Sequence, residues 1–105
     1  MSLKSKSKTY FISGIDTNIG KTIVSSILTE ALHADYWKPI QAGDLKNSDT
    51  DQVRSLVSNL TSKFHPNSYA LKTAASPHYA AEMDKLHIDL QKVILPETEN
   101  HLIIE

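Results

Sequence analysis

Apolar and polar positions alternate along this chain in blocks of two kinds. Short runs rich in aromatic and β-branched residues, "TYFIS" (9–13), "YWKPI" (36–40) and "HLIIE" (101–105), have the length and content of strands. Longer stretches carry helical spacing. From about Thr22, a stripe of Ile23, Val24, Ile27, Leu28, Ala31 and Leu32 predicts a helix that buries this stripe and turns Ser25, Ser26, Thr29 and Glu30 away. In "SDTDQVRSLVSNL" (48–60), Val53, Leu56, Val57 and Leu60 recur at i, i+3, i+4 and i+7, with Ser48 or Asp49 as N-cap. "SPHYAAEMDK" starts a helix with Pro77 in its first turn, and "HIDLQKVILPE" reads as a helix that Pro96 stops. "YALKTAA" is a short strand or an extended connection, and "QAGDLKNS" and "TSKFHPNS" are loops.

This order predicts an α/β fold, a parallel sheet flanked by helices. The expected first strand is buried, and Pro39 is expected to close the second extended segment. A doubly wound sheet has helices on both faces and about five or more strands. Two or three strands fall short of that, so residues 9–105 are expected to be the N-terminal part of a single, larger α/β domain. Residues 1–8 form a polar, basic lead.

The composition narrows the function classes. With 40% apolar and 22% charged residues, 105 positions make one small globular unit. A net charge of −1 leaves no electrostatic footprint for nucleic acid or an anionic membrane. The absence of cysteine removes disulfides, thiolate metal sites and a cysteine nucleophile. No apolar run reaches membrane-spanning length, and the lead precedes no signal core, so a cytoplasmic location is expected. The five histidines lack ligand spacing, Trp37 and the tyrosines read as packing residues, and Ser76 has no nucleophile elbow around it.

The chemistry concentrates in the turn after the first strand. Gly14-Ile15-Asp16-Thr17-Asn18-Ile19-Gly20-Lys21-Thr22 is a glycine-lysine-threonine phosphate loop whose first glycine sits one place early. Such a loop turns backbone N–H groups inward, and the following helix adds its free N–H groups and the positive end of its dipole. Lys21 is placed for the β- and γ-phosphates of a nucleotide and the Thr22 hydroxyl for Mg²⁺. Asp16 is expected to point away from the phosphates. Lys38 ends the second extended segment, on the sheet edge where ligands gather, and reads equally as a phosphoryl contact or a surface lysine. Asp49 and Asp51 suit a helix start, and also the carboxylates that a Mg²⁺–phosphate site needs. Glu105, after an apolar strand, has the pattern of a further Mg²⁺ ligand.

Taken in order, "GIDTNIGKT", "YWKPIQAG", "NSDTD", "SPHYAA" and "HLIIE" resemble motifs of the dethiobiotin synthetase family, which has the P-loop NTPase fold. The likeness runs from Thr9 to Glu105 and covers about the first half of a member. It implies an ATP-dependent ligase of biotin biosynthesis with Mg²⁺ as cofactor. The implied substrates are ATP, CO₂ and 7,8-diaminononanoate, and the product is dethiobiotin, formed through a carbamate and a carbamic–phosphoric anhydride. It assigns catalysis to Lys21 and Lys38, and nucleotide binding to Asn18, Ile19, Gly20, Lys21, Thr22, Ile23 and Asp49. Substrate contacts fall to Thr17, Lys38 and Ala42, and Mg²⁺ to Thr22, Asp49 and Glu105, with Asp51 as the alternative to Asp49. Ala42 stands where members often carry a hydroxyl, so a contact there is through the backbone. The full-length family protein is implied to be a homodimer, and these 105 residues alone are expected to be inactive and poorly soluble. Competing readings are a partitioning or positioning ATPase switch, another ATP-dependent ligase on the same scaffold, and a non-catalytic fragment. No lysine early in the loop speaks against the switch.

Overall fold

The computed structural model describes residues 7–14 and 18–105, with only the backbone of Asn18 and Ile19. In chain order the elements are β1 (Thr9–Phe11), α1 (Asn18–Ala31), β2 (Asp35–Trp37), β3 (Ile40–Ala42), α2 (Asp49–Leu56), β4 (Phe64–His65), β5 (Tyr69–Leu71), α3 (Pro77–Met83) and β6 (Leu102–Ile104). The four strands β1-β6-β2-β4 form one sheet in that order, and β3 and β5 form a second, two-stranded one. All the pairings are parallel. The α/β parallel architecture read from the pattern is therefore present.

The latest strand is a central one. Leu102, Ile103 and Ile104 of β6 are buried and pair with β1 on one side and β2 on the other. An uninterrupted apolar run suits such a place, because a parallel strand is covered on both faces. Alternation sends Ile103 and Tyr36 to the face that holds Ala34 and Val53, with Leu28, Leu32, Val57 and Phe64 packed around them. Leu102, Ile104 and Trp37 face the other way, against Val93. A third cluster, Leu71 with Ala80 and Ala81, joins α3 to the small sheet.

Several local expectations are corrected. Strand β1 lies at the sheet edge with Phe11 77% exposed, so it is not buried. Pro39 interrupts the second extended segment without ending it, since β3 resumes at Ile40 and pairs with β5. The stretch before Pro96 forms only a short 3₁₀ turn, Leu90–Lys92, instead of a helix. Helix α2 stops at Leu56, so Leu60 lies beyond it and is fully exposed. Ser48, not Asp49, is its N-cap: the Ser48 hydroxyl accepts from the Asp51 N–H, and the Asp51 carboxylate accepts from the Ser48 N–H. Pro77 does open α3.

Helix α1 departs most from its pattern. It begins a turn early, at Asn18, and it is rotated relative to its hydrophobic stripe. Thr22, Ser25, Ser26 and Thr29 are buried, whereas Ile23, Val24 and Ile27 are about half exposed. Side chains this short let the helix lie close to β2 and β6, and Leu28 and Leu32 complete the contact from its flank. The outward side forms a shallow apolar groove with Leu56 of α2, lined also by Ile23, Ile27 and Ala31. Glu30, expected to face away, ties α1 to the segment after α2. Its carboxylate accepts from the backbone and side chains of Asn59 and Ser58, and these donors, the Asn59 N–H first, hold its pKa down at about 2.

Candidate functional site

Strand register assembles the site. Phe11, Ile104 and Trp37 stand in one row across β1, β6 and β2, so the residues that follow them, Ile12, Glu105 and Lys38, meet at the carboxyl edge. The backbone confirms this row: Ile12 N–H donates to Ile104 O (2.8 Å), and Glu105 N–H to Trp37 O (3.1 Å). Because α1 follows the loop that leaves β1, its N-terminus opens at the same edge, where ligands of open α/β sheets collect.

Gly20 and Lys21 fall in the first turn of α1, and the N–H groups of Asn18, Ile19 and Gly20 are among those with no partner within the helix. A Cβ added at Gly20 would meet nothing within 4 Å, which leaves open space beside those donors. Lys21 reaches back over the loop, and its Nζ donates to the Gly14 carbonyl at 3.2 Å. Thr22 is buried, and its carbonyl accepts from the Ser26 hydroxyl at 2.7 Å. Ile23 is half exposed on the outward side of the helix, so a nucleotide contact at this position would be made by its backbone. Thr17 lies outside the described residues, as do Ile15 and Asp16. Asn18 and Ile19 contribute helical backbone.

Opposite this helix start, Lys38 and Asp49 form an ion pair that is mostly buried. Sequence position left Lys38 evenly divided between a surface lysine and a site residue; in the structure its side chain is mostly buried and paired with Asp49, unlike an ordinary surface lysine. Asp49 is the first residue of α2, and its N–H donates to Gln41 Oε1 at 3.2 Å while Gln41 Nε2 donates to Gly43 O at 3.0 Å. Gln41 thereby fixes the start of α2 against β3. Gly43 turns the chain there at φ 80°, and a Cβ would come within 2.5 Å of the Ala74 Cβ. Asp51 is committed to its capping box and to Arg54, and that separates it from Asp49. Ala42 packs toward the Leu71, Ala80 and Ala81 cluster.

Glu105 completes the set. Its Oε1 accepts from the Tyr36 hydroxyl at 2.7 Å, and its Oε2 is buried without a hydrogen-bond partner. Burial raises the Glu105 carboxyl above its usual range. The charge of Asp49 adds to this, and the Tyr36 hydrogen bond, Lys38 and the nearby Ser25 hydroxyl offset it only in part. Burial first, and then Glu105, keeps the Tyr36 phenol protonated well beyond ordinary pH, so it acts only as a donor toward this carboxylate.

These residues fit a nucleotide with its divalent cation. Among the described residues, no three His or acidic side chains converge into a closed metal cage. Two carboxylates and a hydroxyl, all hard oxygen donors, match Mg²⁺, which usually takes one or two carboxylates together with phosphate oxygens and water. An orphaned, buried carboxylate oxygen is the kind of atom such a cation satisfies. Two members of the cluster were not legible as site residues. Tyr36 read as packing, although it lies two positions before Lys38 and so shares its face of the strand. Gln41 read as loop, and its signal was a polar side chain in a short extended run.

A model of the AAA domain family matches residues 8–105. ATP-dependent dethiobiotin synthetase BioD of Christiangramia forsetii is 57% identical over 98 residues, covering 93% of this chain and 47% of that protein. The corresponding synthetase of Cytophaga hutchinsonii is 52% identical over 99 residues (93% and 48%), and that of Chlamydia pneumoniae 50% identical over 94 (90% and 42%). The chain thus spans about half the length of the curated relatives it matches. No solved structure matches. With a parallel sheet, a glycine-lysine-threonine turn at its carboxyl edge and a family model that spans nearly all of it, this chain belongs to the AAA domain family.

Proposed function

We propose that the protein of which this chain is part closes the ureido ring of dethiobiotin from 7,8-diaminononanoate, CO₂ and ATP. The observation that carries this reading is the meeting of Lys38, Asp49 and Glu105 at the edge where α1 begins, in a chain similar over nine-tenths of its length to dethiobiotin synthetases. In the first step a substrate amine attacks the carbon of CO₂ and loses a proton, giving a carbamate. A carbamate oxygen then attacks the γ-phosphorus, the bond to the β-phosphate oxygen breaks, and ADP leaves. The second amine attacks the carbonyl carbon of the mixed anhydride, inorganic phosphate departs, and the cyclic urea forms.

The chain's part is positioning and charge neutralisation. The α1 N–H groups at Asn18, Ile19, Gly20, Lys21, Thr22 and Ile23 cradle the phosphates. Lys21 leaves the Gly14 carbonyl for the transferring phosphoryl group, which offers it a full negative charge. Lys38 spends one N–H on Asp49 and keeps two for the carbamate and the phosphoryl oxygens. Thr17 and the Ala42 backbone meet the diamine. Thr22, Asp49 and Glu105 would hold Mg²⁺, which when bound draws charge from the β- and γ-phosphates. A homodimer and a cytoplasmic location belong to the same reading; no described helix is long and apolar enough to cross a membrane.

The test is ADP release by the intact protein, with and without diamine and bicarbonate. Release that requires both, and falls at least ~100-fold in Lys38→Ala, is the expected result. Release indifferent to both would place the protein among ATPase switches instead.

A further inference from the structure

Tyr36 sits in the middle of the sheet, yet its hydroxyl ends in the site. Its ring is fully buried among Ala34, Val53 and Ile103, with the Phe64 ring 6.4 Å away and tilted by 45°. A ring packed on all sides has a single orientation, so the hydroxyl is delivered to a fixed point, 2.7 Å from Glu105 Oε1. Glu105 Oε2 makes no hydrogen bond, and the buried Ser25 hydroxyl, close enough to act on this carboxylate, makes none either.

We propose that Tyr36 is a positioning residue that holds Glu105 in the orientation that presents Oε2 to the divalent cation. This rests on the reading of Glu105 as a cation ligand. The cluster shows why a fixed neutral donor is needed. Lys38 lies nearby and already pairs with Asp49. A carboxylate free to turn would move to share that ammonium, and its charge would be neutralised. A phenol hydrogen bond restrains one oxygen without cancelling the charge, leaving the second oxygen's lone pairs for metal. The hydroxyl, not the aromatic ring, is therefore the functional part of Tyr36, since the surrounding cluster needs only the ring.

Binding of Mn²⁺ to the intact protein in the presence of ADP, followed by electron paramagnetic resonance, tests this. Three variants are compared with the parent: Tyr36→Phe, Glu105→Gln and the double substitution. In Tyr36→Phe the Mn²⁺ dissociation constant is expected to rise about 10-fold, as for other residues that orient a metal ligand. ADP affinity measured in EDTA should not change. The double variant should lose no more than Glu105→Gln alone, because both act through one carboxylate. Parent-like Mn²⁺ affinity in Tyr36→Phe, with affinity lost in Glu105→Gln, overturns the role of Tyr36 and leaves Glu105 as a ligand. Equal weakening of ADP binding in EDTA also overturns it, since the hydroxyl would then be merely structural. Unchanged Mn²⁺ affinity in Glu105→Gln overturns the underlying reading of Glu105 itself.

Discussion

Two buried carboxylates lie at opposite ends of the same short sheet, and the fold treats them differently. Asp35 opens β2 and is completely buried. It accepts from the Lys63 N–H at 3.0 Å, from Asn100 Nδ2 at 2.9 Å, and is paired with His65 Nε2 at 2.8 Å. Burial alone would raise its pKa, but the hydrogen bonds of Asn100, Thr98, His65 and Lys63 together leave it lowered. Glu105, one residue past β6, has one hydrogen-bonded oxygen and one orphan, and its pKa is raised. A carboxylate that only holds structure is saturated with donors. Glu105, with one buried oxygen left incomplete, is held at a cost in stability.

The comparison breaks most readily at Asp35. Asp35→Ala strands these donors and should cost about 3 kcal/mol, read from the denaturant midpoint. A loss below about 1 kcal/mol would show that these bonds are replaced by water. The pH dependence has a definite sign. Because folding lowers the Asp35 pKa, its contribution is complete above the ordinary value of 3.8 and fades as pH falls through the lower folded value. The gap between parent and Asp35→Ala should narrow over that acid window.

Glu105→Gln should move stability the other way. Folding raises this pKa, so ionisation weakens the fold as pH climbs from the ordinary 4.5 to the folded value. The variant is expected to be more stable than the parent at neutral pH, read as a higher melting temperature. The difference should vanish below pH 4.5. A destabilised variant at neutral pH would mean that Glu105 is as well satisfied as Asp35. The smallest effect is expected on the outward side of α1. Ile27→Glu should stay within about 0.5 kcal/mol, because Ile27 is already 60% exposed.

That last case shows how far the sequence could be read. The apolar period of α1 marked a helix with two unlike sides, but not which side meets the sheet. Ile23, Val24 and Ile27 looked like core residues, and the small Thr22, Ser25 and Thr29 are the ones buried. Periodicity records amphipathicity, whereas close approach of helix to sheet selects small volume as well as low polarity. For α2 the cap was legible and the stripe only in part: Ser48 makes the capping box and Val53 is buried, but Leu56 is more than half exposed and Leu60 lies beyond the helix. The phosphate loop was legible because phosphate binding depends on backbone shape, and glycine spacing writes backbone shape directly into sequence.

The sequence by itself determined the parallel α/β class, the presence of a helix after the glycine turn, and the apolar β6 run. Each of these follows from torsional freedom or burial within a few neighbouring residues. Only the tertiary structure decided that Lys38 pairs with Asp49, that Tyr36 holds Glu105 across 69 positions of chain, and that Asp35 is saturated by partners from two distant segments. These contacts are set by strand order and register, which join residues that no local pattern relates.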